Sequence, residues 1–195
     1  MPKSLRTLAL MVGLGLFAFA SPSVNSQDNK VKPVIKEILE IAADLEAGKD
    51  VVAKVKAFRK KHDDLDEVMH GYKPRMRGGV GVDPKADAKS DGVEMKFNAI
   101  ARRAMAPAAL KKEKDLLLKA AYFNLAMAKL TKEYAPEKPK GGKGAKEWNK
   151  LTDEMEKGTK DMLEALKKED PAALKKAVTD INNACNTCHS DFRDA

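Results

Sequence analysis

The sequence predicts an all-α fold, and three observations carry that expectation. From Val31 onward apolar residues recur at spacings of three and four, the signature of one helical face. Nowhere do they alternate over the roughly four to eight residues that a half-buried strand needs. The periodic runs are separated by glycine and proline, which stop and restart helices rather than turn hairpins of strands.

The first periodic run is Val31, Val34, Ile35, Ile38, Ile41, Ala42 and Leu45, closed by Gly48. A second helix is expected from about Asp50, with Val51, Val55, Phe58, His62, Leu65 and Met69 as its seam. Together residues 31–70 read as an antiparallel helical hairpin. His62 falls on the apolar face, where a packed, hydrogen-bonded core histidine is expected. Residues 71–92 break the pattern with glycine and proline, and their glycines match no dinucleotide fingerprint. A loop of that length in a compact domain is functional or disordered, and Tyr72, Pro74, Met76 and Val80 argue for partial packing.

Four helical runs complete the chain. One is expected over Val93 to Ala106, with Val93, Phe97, Ile100 and Ala104 inward. Pro107 opens the next, which carries Leu116, Ala120, Phe123, Met127, Leu130 and Tyr134. After a lysine-rich connector over 135–145, Trp148, Leu151, Met155, Thr159, Met162 and Leu166 form a third stripe. Asp170-Pro171 is an N-cap followed by proline at the first helical position. The last stripe runs Leu174, Val178, Ile181, Cys185 and Cys188. Residues 31–92 (hairpin and loop) and 93–195 (helical bundle) are expected to share one compact domain.

The amino terminus reads as an export signal. Lys3 and Arg6 precede an apolar run from Leu8 to Ala20, and Ala18-Phe19-Ala20 fits cleavage after Ala20. The run is short for a transmembrane span, so an exported, periplasmic protein is expected. Removing residues 1–20 lowers the formal net charge from +8 by the two charges of Lys3 and Arg6. Residues 21–30 are polar and expected to be flexible.

Cys185-Asn186-Thr187-Cys188-His189 is the one motif that carries chemistry, and C-x-x-C-H is the attachment signature of a c-type haem. Positions three apart share a helix face, so both thiols can add to the vinyl groups of one porphyrin edge. His189 then stands where an imidazole can reach the iron. A thioredoxin-type dithiol would open a helix beside a βαβ unit; here the motif closes one. A zinc site needs four ligands, and the chain has two cysteines and, besides His189, only His62 and His70. A disulfide between these cysteines would close a very small loop and stabilise little.

Residues 93–195 resemble the cytochrome c′, or class II c-type cytochrome, family. The likeness rests on the Cys185–His189 motif followed by Phe192-Arg193, on Asp170-Pro171 opening the last helix, and on Trp148 opening the one before. It implies an up-down-up-down four-helix bundle with one covalent haem c on Cys185 and Cys188 and His189 as axial ligand; Arg193 is either a partner for a haem propionate or a solvated terminal arginine. Residues 31–92 have no counterpart in the family. In such a bundle Met95, Phe97, Leu130, Tyr134 and Trp148 should gather round the porphyrin. For the sixth iron position Met95 is the geometric favourite, Met69, His70 and Met76 are rivals, and an open position is the remaining case.

The expected function is electron transfer to redox partner proteins by a non-enzymatic monohaem carrier, its basic balance favouring acidic partners. The alternatives are a five-coordinate haem protein that binds nitric oxide or carbon monoxide, and a haem subunit of a larger redox complex docked through residues 31–92. A peroxidase would need Arg102 or His70 over an open iron. A homodimer is compatible with the pattern. Lysines are not clustered with aromatics, which make up 5% of the chain, so nucleic-acid binding on a stacking platform is not expected.

Overall fold

A computed structural model describes residues 33–83, 85, 91–139 and 142–193. The expected export signal (1–20) and polar stretch (21–30) lie outside the described residues. Among those described, the chain is helical: α1 (Pro33–Glu46), α2 (Val52–Lys61), α3 (Leu65–Met69), α4 (Val93–Arg102), α5 (Pro107–Lys132), α6 (Ala145–Lys168) and α7 (Pro171–Cys188), the last running on as a π-turn over His189–Arg193. The all-α expectation is met.

Local chemistry sets the boundaries. The Asp170 carboxylate accepts from the N–H groups of Ala172 and Ala173 at 2.9 and 3.0 Å, and Pro171 loses no bond at a position whose N–H has no helical partner. The expected single helix over 50–69 is instead two helices. His62 is extended (φ −121°, ψ 106°), and Asp64 starts α3 by accepting from Asp66 N–H at 2.8 Å. The break is held from outside, because the Tyr134 hydroxyl donates to the His62 carbonyl at 2.5 Å. The helix expected to reach Ala106 ends at Arg102, and Ala104 is exposed rather than inward. Arg103 and Ala106 are extended, as the residue before Pro107 must be to clear the proline ring. On α5 it is Leu117, rather than Leu116, that is fully buried.

α6 runs antiparallel to both α5 and α7. Lys129 and Lys132 of α5 meet Glu156 and Asp153 of α6, at 3.1 and 2.6 Å. α6 and α7 approach closely at Gly158, where a Cβ would lie 2.9 Å from Ile181 Cγ1. The remaining side of the bundle is shared: α4 packs on α7 and α1 on α5. α1 therefore rests chiefly on the bundle and only lightly on α2, its expected hairpin partner. Ile35, Ile38, Phe123, Met127, Leu130, Met162, Leu166, Leu174 and Ile181 are all less than 2% exposed and belong to one apolar core. Each such side chain contributes about 1.5–3 kcal/mol by burial.

The described residues of the stretch 71–92 are packed by their own contacts. Tyr72 and Pro74 turn inward, a turn at Arg75–Arg77 ends on left-handed Gly78 (φ 81°), and Gly81 pairs with Gly92 in an isolated bridge. Asp91, fully buried, accepts from Arg75 Nη2 at 3.2 Å and from the N–H groups of Asp83 and Arg75 at 3.0 and 3.3 Å. Met76, expected to pack, is 66% exposed.

Candidate functional site

The end of α7 meets the end of α5 and the starts of α4 and α6, and the added segment before α4 closes over the same end. Cys185 and Cys188 stand there on one face of α7, both half-buried and both free thiols. Cys185 packs against the main core, with its Sγ 3.8 Å from Met155 Sδ. Cys188 packs against a second, smaller cluster of Trp148, Leu151 and Phe192. The Trp148 and Phe192 rings meet edge to face, 5.0 Å apart at 78°, and the indole N–H donates to the Thr131 carbonyl at 2.8 Å. Leu65 and Tyr134 touch both clusters. The two thiols therefore flank a division in the apolar packing, lined by Leu65 and Tyr134. Two thiols one turn apart with a histidine at the next position are the donor set that a covalently attached haem requires.

Burial dominates the thiol chemistry. It pushes Cys185 up to about 12, with smaller contributions from Cys188 and Glu94, and Cys188 to about 11, with Asp191 adding. A nucleophilic or disulfide-exchanging cysteine needs the opposite shift. Among the described residues no group of three or more histidine, cysteine, aspartate or glutamate side chains is placed to hold a bare metal ion.

His189 caps α7 and is half-buried. Its Nδ1 accepts from Arg193 Nη1 at 3.2 Å, since a guanidinium can only donate. Beside them Lys143 pairs with the nearly buried Asp191, tying the 142–145 connector to the π-turn.

Of the residues expected round the porphyrin, Phe97, Leu130 and Trp148 are buried and Tyr134 is half-buried at the division itself. Met95 is 36% exposed on α4. Among its rivals, Met76 is exposed, His70 is exposed with Nδ1 on the Asp66 carbonyl at 3.1 Å, and Met69 is half-buried against the core. His62 is the packed core histidine expected, 4.5 Å from Phe58 and 3.2 Å from Glu37 Oε2.

A polar chain behind Cys185 was not expected. The Tyr72 hydroxyl donates to Asn124 Oδ1 at 2.6 Å, Asn124 Nδ2 donates to Thr159 Oγ1 at 2.5 Å, and Thr159 donates to the Met155 carbonyl at 2.7 Å. Burial holds the Tyr72 phenol well above its ordinary value. The available signal is Asn124 itself, a lone amide inside the apolar run Phe123 to Met127.

Residues 96–193 match the family model described as Cytochrome C'. The chain belongs to the cytochrome c′ family. Members of that family bind one covalently attached haem c and are typically exported to the periplasm. No curated protein and no solved structure matches the chain. The match begins inside α4, so α1, α2, α3 and the loop before α4 lie outside it. No helix among the described residues is long and apolar enough to cross a membrane.

Proposed function

We infer that this cytochrome c′ family protein is an exported monohaem electron carrier, with its haem on Cys185 and Cys188 and His189 as axial ligand. The observation that supports this most directly is the placement of both thiols along the division between the two apolar clusters, with His189 ending the same helix. Addition of each Sγ–H across one vinyl group would form a carbon–sulfur bond with the hydrogen passing to the neighbouring carbon, consuming no oxidant. Bound there, the haem supplies a one-electron Fe(III)/Fe(II) couple.

The protein's own residues do the rest. α7 holds the two sulfurs in register, and Asp170 and Pro171 fix where that helix starts. Trp148, Leu151 and Phe192 exclude water on the Cys188 side, and Met155 does so on the Cys185 side. Ligation through Nε2 would leave the imidazole proton on Nδ1, turning that atom from acceptor to donor, and a haem propionate would offer Arg193 an acceptor of the right charge in its place. Export through residues 1–20, with cleavage after Ala20, suits attachment outside the cytoplasm. The carrier catalyses no chemistry of its own and exchanges electrons with partner proteins, acidic ones being favoured by its charge.

The outward placement of Met95 and Met76 favours a second reading, in which the sixth position is open and binds nitric oxide or carbon monoxide. Optical spectra of reduced and oxidised protein, with and without carbon monoxide, separate the two. A low-spin spectrum indifferent to carbon monoxide supports the carrier. A high-spin spectrum that shifts with the gas supports the second reading.

A further inference from the structure

The residues outside the family match do more than lengthen the chain. Leu65, on α3, packs against the Trp148, Leu151 and Phe192 cluster beside Cys188. Tyr72, just beyond α3, enters the polar chain through Asn124 and Thr159 to Met155, whose sulfur touches Cys185. One short segment thus reaches the surroundings of both cysteines. It is pinned there by three further contacts. Tyr134 holds the His62 carbonyl, a Cβ on Gly71 would come within 2.8 Å of the Phe123 ring, and the Tyr72 and Phe123 rings meet edge to face at 5.4 Å. A phenol buried on a core amide is costly to detach, because both groups then lose their partner in a dry interior. The anchor is therefore specific to Tyr72, not a general apolar contact.

We propose that residues 62–74 form a wall of the haem pocket that the family-matched bundle lacks, with Leu65 closing the Cys188 side and Tyr72 locking the Cys185 side against water. This rests on the assignment of the haem to Cys185 and Cys188. A wall of this kind raises the reduction potential, since excluding water disfavours the more highly charged oxidised state. Tyr72 is a positioning residue in this arrangement, acting through Asn124.

The test uses the full-length haem-loaded protein, wild type and the variants Tyr72→Phe, Leu65→Ala and Leu110→Ala. Leu110 is fully buried at the opposite end of α5, roughly 30 Å away at about 1.5 Å per residue. Its variant controls for loss of stability alone. Covalent haem per chain, reduction potential and thermal midpoint are measured for each. The expected result is one haem in every variant, a lower potential in Tyr72→Phe and Leu65→Ala, and an unchanged potential in Leu110→Ala. Potentials that move no further in the first two than in Leu110→Ala, at full haem content, overturn the wall and leave the haem assignment standing. A wild-type chain without covalent haem overturns that assignment and the wall with it. Tyr72→Phe keeps the ring and its Phe123 contact, so it remains informative if Leu65→Ala fails to fold.

Discussion

The thiol of Cys185 lies 3.8 Å from the thioether of Met155, across the seam between α7 and α6. Met155 is 6% exposed, and its backbone carbonyl receives the polar chain from Tyr72. Its side chain therefore fills the space against the Cys185 sulfur. Met155→Ala should cost about 2–5 kcal/mol in the haem-free chain, while Met155→Leu, which conserves volume, should cost less than about 1.5 kcal/mol. Denaturant unfolding of the two variants checks this. Equal losses would show that filling this space is not what the methionine does.

Burial raises Cys185 from 9.0 to about 12 in the folded chain. Folding thus favours the neutral thiol. The associated stability is complete below pH 9 and is lost as the pH rises toward 12. Haem-free wild type should therefore lose more stability over that range than haem-free Cys185→Ser. In the haem-loaded protein a thioether has no proton to lose, so this component of the alkaline loss should vanish. Unfolding curves at stepped pH measure the difference. A haem-loaded protein that keeps the same alkaline component would argue that Cys185 is still a thiol.

Asp91 is fully buried and joins both strands of the loop before α4 through Arg75 and Asp83. Arg75→Ala leaves the fully buried Asp91 carboxylate without its cation, for a loss of about 3–5 kcal/mol. Asp91→Ala leaves a guanidinium that is 36% exposed and can be rehydrated, so its cost comes chiefly from two backbone N–H groups without their acceptor, about 1–3 kcal/mol each. Thermal denaturation of the pair gives the order. Asp91→Ala melting with the wild type would mean that the loop closes without its carboxylate.

Gly158 faces α7 at close range, with Ile181 Cγ1 at 2.9 Å and Ile181 N at 3.3 Å from an added Cβ. Gly158→Ala should destabilise by about 1–3 kcal/mol through overpacking, despite alanine's better helix propensity. A variant as stable as wild type in denaturant would show that the seam relaxes there.

The helical architecture was legible in the sequence because burial imposes the 3–4 spacing directly. The stripe Trp148, Leu151, Met155, Thr159, Met162 and Leu166 is buried as its period requires. The places where the sequence reading departs from the structure are those that depend on a distant partner. The break at His62 is held by Tyr134, seventy-two residues away. The loop before α4 owes its shape to Asp91, whose partners cannot be read from spacing. At the site, Cys185, Cys188 and His189 are legible because their chemistry fixes their order. Tyr72 and Asn124 are not, because a hydrogen bond between remote segments leaves no period. Met95 illustrates the converse: its place at the start of α4 suggested the pocket, but the helix turns it 36% outward while Val93 and Phe97 take the buried face.

Cys185 and Cys188 are proposed to carry one covalent haem with His189 on the iron. The most direct measurement is the mass and haemochrome spectrum of the exported, denatured protein, for wild type and for Cys185→Ala/Cys188→Ala and His189→Ala. One haem per wild-type chain that survives denaturation is expected, none in the double cysteine variant, and an altered ligand spectrum of the native protein in His189→Ala. A denatured wild-type chain with the mass of the polypeptide alone would contradict it.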